Sequence, residues 1–330
     1  MAEDAESGQH YQPEQTGMYE LEFPAPSLSA PDGRGPVLIH ALEGFSDAGR
    51  AIKLAAEHLK TTLDTELVAS FAIDELLDYR SRRPLMTFKT DHFTSYEEPE
   101  LNLYAVRDSV GTPFLLLAGL EPDLRWERFI TAVRLLSERL AVRRIIGLGA
   151  IPMAVPHTRP ITLTAHANDK ELIAEHEPWV GEVAVPGSVS NLLEFRMAQH
   201  GHEVVGFTVH VPHYLAQTDY PAAAETLVGE LARSASLQIP TGDLSRAAAE
   251  VAEKVNEQVA ASAEVAQVVE ALERQYDAFV AAQENRSLLA HDEDLPSGDE
   301  LGAEFERFLA QQADEYTKDK DKDKDDPRDS

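Results

Sequence analysis

Two short apolar runs, Phe114-Leu-Leu-Leu-Ala118 and Arg144-Ile-Ile-Gly-Leu148, flank a segment, Leu124 to Leu140, whose apolar residues recur at helical spacing. A strand that is apolar at every position needs cover on both faces, which a parallel sheet between helices supplies. Parallel strands cannot be joined by a tight turn, so the helical segment reads as their crossover. These residues form a parallel βαβ unit and place the chain in the α/β class.

A second junction of the same kind comes earlier. Pro36-Val-Leu-Ile-His-Ala41 reads as a buried strand and runs through the turn Leu42 to Gly49 into a helix, Arg50 to Lys60. Glycines 44 and 49 bracket a turn where backbone N–H groups gather at a helix start, and Asp47 can cap that helix or hold the turn. The turn has neither the Lys-Ser/Thr of a nucleotide phosphate loop nor the third glycine of a dinucleotide turn. Further strands are expected at Leu67–Ile73, Leu85–Lys89, Leu101–Val106, Ile161–Ala165 and Glu203–Val211. A short helical turn is expected at Asp74–Tyr79, a short helix at Asn168–Glu175, and helices at Ser188–His200 and Pro221–Ser236. From Asp243 to Gln283 no Gly or Pro interrupts a pattern of apolar steps of four and three, weakened by Gln258 and Ser262 at its centre. It reads as a long helix or a hairpin, self-associating or packed on its own domain. A last helix, with Ser297 and Glu300 as capping box, would set Leu301, Phe305, Phe308 and Leu309 on one face in need of a partner.

Three motifs in order, Glu43-Gly-Phe-Ser-Asp-Ala-Gly49, then Asp74-Glu-Leu-Leu-Asp-Tyr-Arg80 with Arg83-Pro84, then Gly147-Leu-Gly-Ala-Ile-Pro152, resemble the proteasome assembly chaperone 2 family in its longer actinobacterial branch. The likeness spans residues 36 to 235. It implies a three-layer α/β/α sandwich similar to the phosphorylase/hydrolase-like fold, often oligomeric, with a C-terminal helical appendage added here. It implies no reaction. Family chaperones that act on proteasomes dock through a terminal hydrophobic-Tyr-any motif, whereas this chain ends Arg328-Asp329-Ser330 and has Glu315-Tyr316-Thr317 only internally.

The expected organisation is an acidic arm over residues 1–34, disordered or loosely docked, an α/β core over 35–240, a helical appendage over 241–313 and a disordered charged tail over 314–330. With no cysteine, the chain excludes disulfides, Cys-ligated zinc and thiol catalysis. The first residues lack the basic and apolar segments of a signal peptide, and the longest apolar runs, such as Pro113 to Leu120, are strand-sized, so a cytoplasmic, non-membrane protein is expected. The net charge is −29, of which residues 1–23 hold −6 and residues 243–330 hold −14. Such acidity repels phosphate backbones and argues against nucleic acid as a partner.

Ligands of open α/β sheets bind outside the carboxyl ends of the strands. The polar residues expected there are Glu43 and Asp47, Glu121 with Asp123 and Arg125, His157 and Arg159, and His213 with Tyr214. The Arg80, Arg82, Arg83 cluster could grip an anion. Arg80 and Arg83 join Glu43, Asp47, Glu121, Arg125, His157, Arg159 and His213 as the candidate crevice. Each has a structural alternative: Asp47 as a helix cap, Glu121 and Asp123 as dipole partners, the arginines as neutralisers of Asp74, Glu75 and Asp78, and His213 as the end of a strand. No histidine stands at i, i+4 from another with a carboxylate between, so no metal or cofactor is expected, and no Gly-x-Ser-x-Gly elbow supports serine hydrolysis.

Two functions of different class follow. One is a non-enzymatic assembly factor or scaffold, a homo-oligomer with a trimer among the options, with proteasome subunits as the implied partners. The other is an enzyme or small-molecule binder, which requires Glu43, Arg125 and His213 to meet in one pocket.

Overall fold

The structure, a computed structural model, describes residues 17–24, 26, 28, 33–177 and 181–289. The chain divides into two compact units, Met1–Pro178 with Pro186–Tyr276, and Trp179–Val185 with Asp277–Ser330. All that follows concerns the first. The expected apolar face at Leu301, Phe305, Phe308 and Leu309, the charged tail and Glu315-Tyr316-Thr317 lie outside the described residues.

The elements are β1 (Tyr19–Leu21), β2 (Val37–Glu43), α1 (Ala51–Thr62), β3 (Asp64–Phe71), α2 (Ile73–Leu76), β4 (Met86–Lys89), β5 (His92–Tyr96), β6 (Leu101–Arg107), β7 (Pro113–Leu120), α3 (Trp126–Arg139), β8 (Arg144–Met153), β9 (Leu163–Ala167), α4 (Val189–Gln199), β10 (Glu203–Pro212), α5 (Pro221–Ala235), α6 (Gly242–Ala260) and α7 (Ala263–Leu289). Eight strands form one sheet in the order β1-β3-β6-β7-β2-β8-β10-β9. The central four, β7, β2, β8 and β10, are parallel, and the pairs outside them are antiparallel.

Why the central strands are continuously apolar is plain from their two faces. Ile39 and Ala41 of β2, with Phe114 and Leu116 of β7, face a core shared with Ile52, Ala55 and Leu59 of α1 and Leu227 and Leu231 of α5. Leu38 and Leu42 of β2, with Leu115 and Leu117 of β7, face a second core shared with Phe129, Val133 and Leu136 of α3 and Leu193 and Met197 of α4. Alternate side chains enter opposite cores, and each buried Leu, Ile or Phe contributes about 1.5–3 kcal/mol of transfer free energy. The α/β/α sandwich with following helices is therefore as the sequence implies.

Three details differ from the sequence reading. Within residues 1–34, Tyr19–Leu21 is not loose: it pairs with β3, with Met18 fully buried beside it. The short helix expected at Asn168–Glu175 is a single 3-10 turn, Lys170–Ile173, whereas the helical turn expected at Asp74–Tyr79 is present as the four-residue α2. The segment from Asp243 to Gln283, read as a long helix or a hairpin with a weak polar centre, is two helices that break at that centre, beside Ser262. Finally, β4 has a partner, β5, that the reading omitted. The two make a separate hairpin whose Leu85, Met86, Phe88, Phe93 and Tyr96 are 48% to 68% exposed.

Candidate functional site

The carboxyl ends of β2 and β7 are tied together from within. Glu121, at the end of β7 and nearly buried, accepts the backbone N–H of Phe45 through Oε2 at 2.9 Å and that of Val189 through Oε1 at 2.7 Å. Gly44 is required there, since a Cβ would stand 2.0 Å from Glu121 Oε2. Among the three clustered arginines it is Arg82, not the exposed Arg80 or Arg83, that reaches this junction. Its guanidinium donates to the carbonyl of Glu121 at 2.9 Å and pairs with Asp123 at 3.1 Å. Asp123 in turn accepts from the N–H of Asp78 at 2.9 Å.

The ends of β8 and β10 are closed by the C-terminal helices. His157 shares a 2.7 Å hydrogen bond with the Tyr214 hydroxyl and lies 3.1 Å from Asn256 of α6. Thr158 donates to Glu273 of α7, Arg159 pairs with the same carboxylate at 3.4 Å, and the Tyr276 hydroxyl donates to the carbonyl of Pro160 at 3.0 Å. Two buried side chains of α7, Val269 and Leu272, support this packing.

The candidate crevice residues are thus distributed among different neighbours. Glu43 pairs with Lys53 at 3.6 Å, Arg125 with Glu75, and His213 packs edge-on against Tyr214 with centroids 5.3 Å apart. No contact joins Glu43, Arg125 and His213 among the described residues. No group of three or more metal-ligating side chains is arranged to hold an ion among those residues, and no helix there is long and apolar enough to cross a membrane.

Asp47 caps α1. Its Oδ1 accepts the N–H of Ile52 at 2.7 Å and its Oδ2 that of Lys53 at 3.4 Å. Burial pushes its pKa from 3.8 to about 6, outweighing the two N–H bonds that favour the carboxylate, with the charge of Glu43 adding to the rise. Between those two values the folded chain holds a proton the unfolded chain has lost, so this group's contribution to stability falls as pH rises across that window. Asp47→Asn keeps an acceptor for Ile52 and removes the buried charge. It is expected to raise stability at neutral pH by about 1–3 kcal/mol and to flatten that part of the pH profile, read by urea unfolding across the window.

The most unusual polar constellation lies elsewhere and escaped the sequence reading. His40, Gly147, Gly206 and His166 occupy one rung across β2, β8, β10 and β9, each opposite the next in the Cα register. Above the two glycines, Glu194 of α4 bridges the histidines. Its Oε1 lies 3.2 Å from His40 Nε2, at ion-pair distance but poorly aligned for a hydrogen bond, and its Oε2 bonds His166 Nε2. A Cβ on Gly147 would fall 1.9 Å from Glu194 Oε1, and one on Gly206 would fall 2.2 Å from the His166 ring. His40 is fully buried and its Nδ1 has no hydrogen-bond partner among the described residues. Burial pushes Glu194 upward, but His166, through its hydrogen bond and charge, and His40 beside it outweigh that and bring the carboxyl down to about 2. Burial lowers His166, and the bond and charge of Glu194 overcome that to raise it. A lone histidine in an apolar strand and a lone glutamate in α4 were the available signals.

The comparisons match this architecture. A Mycobacterium tuberculosis protein of unknown function is 76% identical, with a TM-score of 0.82 over 85% of this chain and 95% of that one. A Corynebacterium glutamicum protein of unknown function is 46% identical, with a TM-score of 0.77 over 80% and 98%. A proteasome-assembly chaperone homologue of M. tuberculosis shares the fold at 24% identity, with a TM-score of 0.65 over 71% and 99%. No curated protein matches the chain. The PAC2 family model matches residues 41–259, from the second strand through α6, and the chain belongs to the PAC2 family.

Proposed function

We propose that this protein is a non-enzymatic assembly factor that works through protein–protein contacts, as a homo-oligomer, with proteasome subunits as its partner class. The observation that carries the reading is the β4–β5 hairpin. It holds five large apolar side chains in water, Phe88 and Phe93 packing edge to face at 5.1 Å, and a two-stranded hairpin of this kind gains little from standing alone. The polar residues at the strand ends, by contrast, are engaged in internal bonds that fix loops and dock helices. Membership of the PAC2 family and the fold shared with a proteasome-assembly chaperone homologue support the choice of partner class.

The test is native mass spectrometry of the full chain, alone and mixed with the α and β subunits of a 20S proteasome from the same source. A homo-oligomer that forms a mixed species with those subunits, or speeds their assembly into rings, is the expected result. A chain that leaves both the subunit masses and the assembly rate unchanged would overturn the proteasome assignment.

A further inference from the structure

We propose that the Glu194 bridge is a proton-operated bolt, which holds α4 against the sheet while His166 is protonated and frees the helix when His166 gives its proton up. The apolar hold on α4 is narrow: Val189, Leu193 and Met197 are buried in a single line four residues apart, Leu192 and Ala198 pack partly beside them, and Phe195 on the same helix is exposed. Glu194 adjoins that line and carries the one charge that α4 sets into the histidine rung.

With His166 protonated, a cation, a carboxylate and the His40 ring lie in sequence across four strands. With His166 neutral, the nearly buried carboxylate loses the cation that its Oε2 faces, and a buried charge short of its counterion favours any motion that returns it to water. His166 has about half its side chain open to solvent, so its proton exchanges freely, and the same exposure screens the pair and moderates its strength. Glu194 is only 12% exposed and cannot be resolvated without moving the helix.

The direction follows from linkage. The pKa of His166 is raised in the fold, so its contribution is complete below its ordinary value of 6.5 and is lost as pH rises through the folded value. Glu194 is lowered, so its contribution is present above its ordinary 4.5 and fades only as pH falls toward about 2. The bolt is closed between these limits.

Among the described residues, His40 and His166 are the groups that reach Glu194. From β2 it faces His40 and from β9 His166, while β8 and β10 offer only glycine at this rung. The other ionisable groups of β8 and β10 are turned elsewhere: Arg144 pairs with Glu203 at 2.9 Å, and His210 sits between the hydroxyls of Thr162 and Thr164 at 2.8 and 3.0 Å. Arg196 of α4 pairs with Glu127 of α3 at 2.7 Å. Release of α4 would reach the strand ends, because the N–H of Val189 is held by Glu121, whose other oxygen holds the N–H of Phe45.

Hydrogen exchange on the full chain tests this, following residues 189–199 at about pH 6 and about pH 8.5 with intrinsic rates corrected. Protection of α4 in the native chain is expected to fall by more than about tenfold at the higher pH, relative to α3 as an internal reference. His166→Lys, which keeps the charge, should retain protection at both, and His166→Gln should be weakly protected at both. Imidazole NMR should show the His166 titration moving down in Glu194→Gln. Protection of α4 that does not change with pH in the native chain, or that changes equally in His166→Lys and His166→Gln, overturns the proposal.

Discussion

Glu121→Ala is expected to destabilise the fold by about 2–5 kcal/mol, read as a lower urea midpoint at unchanged slope. The side chain is 5% exposed and each carboxylate oxygen accepts a different backbone N–H, from Phe45 and from Val189. Truncation leaves both donors without a partner at sites that water reaches poorly, and each unsatisfied buried donor costs about 1–3 kcal/mol. A cavity adds to this, because Gly44 lies against the carboxylate and cannot fill the space. Glu121→Gln separates the contributions. Its oxygen can accept from one N–H, but its amide nitrogen then faces the other, so a loss of about half the alanine value is expected. A change below about 0.5 kcal/mol for Glu121→Ala would mean that loops 44–47 and 186–189 are not held by this side chain.

Glu121 also shows what the sequence could and could not tell. Its place at the end of an apolar strand was legible, because the continuous apolar run of β7 stops before the 3.6-residue periodicity of α3 begins and so locates the strand end between them. Its role was not, since the N–H of Val189 comes from 68 residues away. Asp47 could be read as a cap because its partners are five and six residues along the same chain. Arg82 was inseparable from Arg80 and Arg83 by composition, and only the fold of the 78–83 turn decides which guanidinium points inward. The histidine rung was less legible still. His40, Gly147, Gly206 and His166 meet through the register of four strands joined by two crossovers and a return strand, and no local rule fixes such a register. The β5 half of the hairpin was missed for the opposite reason: the turn, Thr90-Asp91, has no glycine, and His92-Phe-Thr-Ser-Tyr96 does not keep the alternation that Met86-Thr-Phe-Lys89 shows.

For the homo-oligomer proposed above, replacing Met86, Phe88 and Phe93 together by serine is expected to give a monomer while leaving folding unchanged. The three side chains are more than half exposed in the isolated chain, so the folded state loses few contacts with them, and surface changes of this kind usually alter stability by less than about 0.5 kcal/mol each. At an interface the balance differs. Apolar anchors of this size contribute about 1–3 kcal/mol apiece once water is excluded, so three of them acting together set association constants by several powers of ten. Charge indicates what they meet. With Arg82 engaged by Asp123, residues 80–96 leave Arg80, Arg83 and Lys89 against Asp91, a basic stretch on a chain of net charge −29, and in the proposed homo-oligomer a second copy would supply the complementary acidic surface. Sedimentation at low and high salt should therefore show weaker association of the native chain as salt screens the encounter, and a monomer at both for the triple variant. A native chain that is monomeric at tens of micromolar, or a variant that keeps the native oligomer, would remove the hairpin from the assembly surface and leave the exposed apolar residues of α7 as the place to look next.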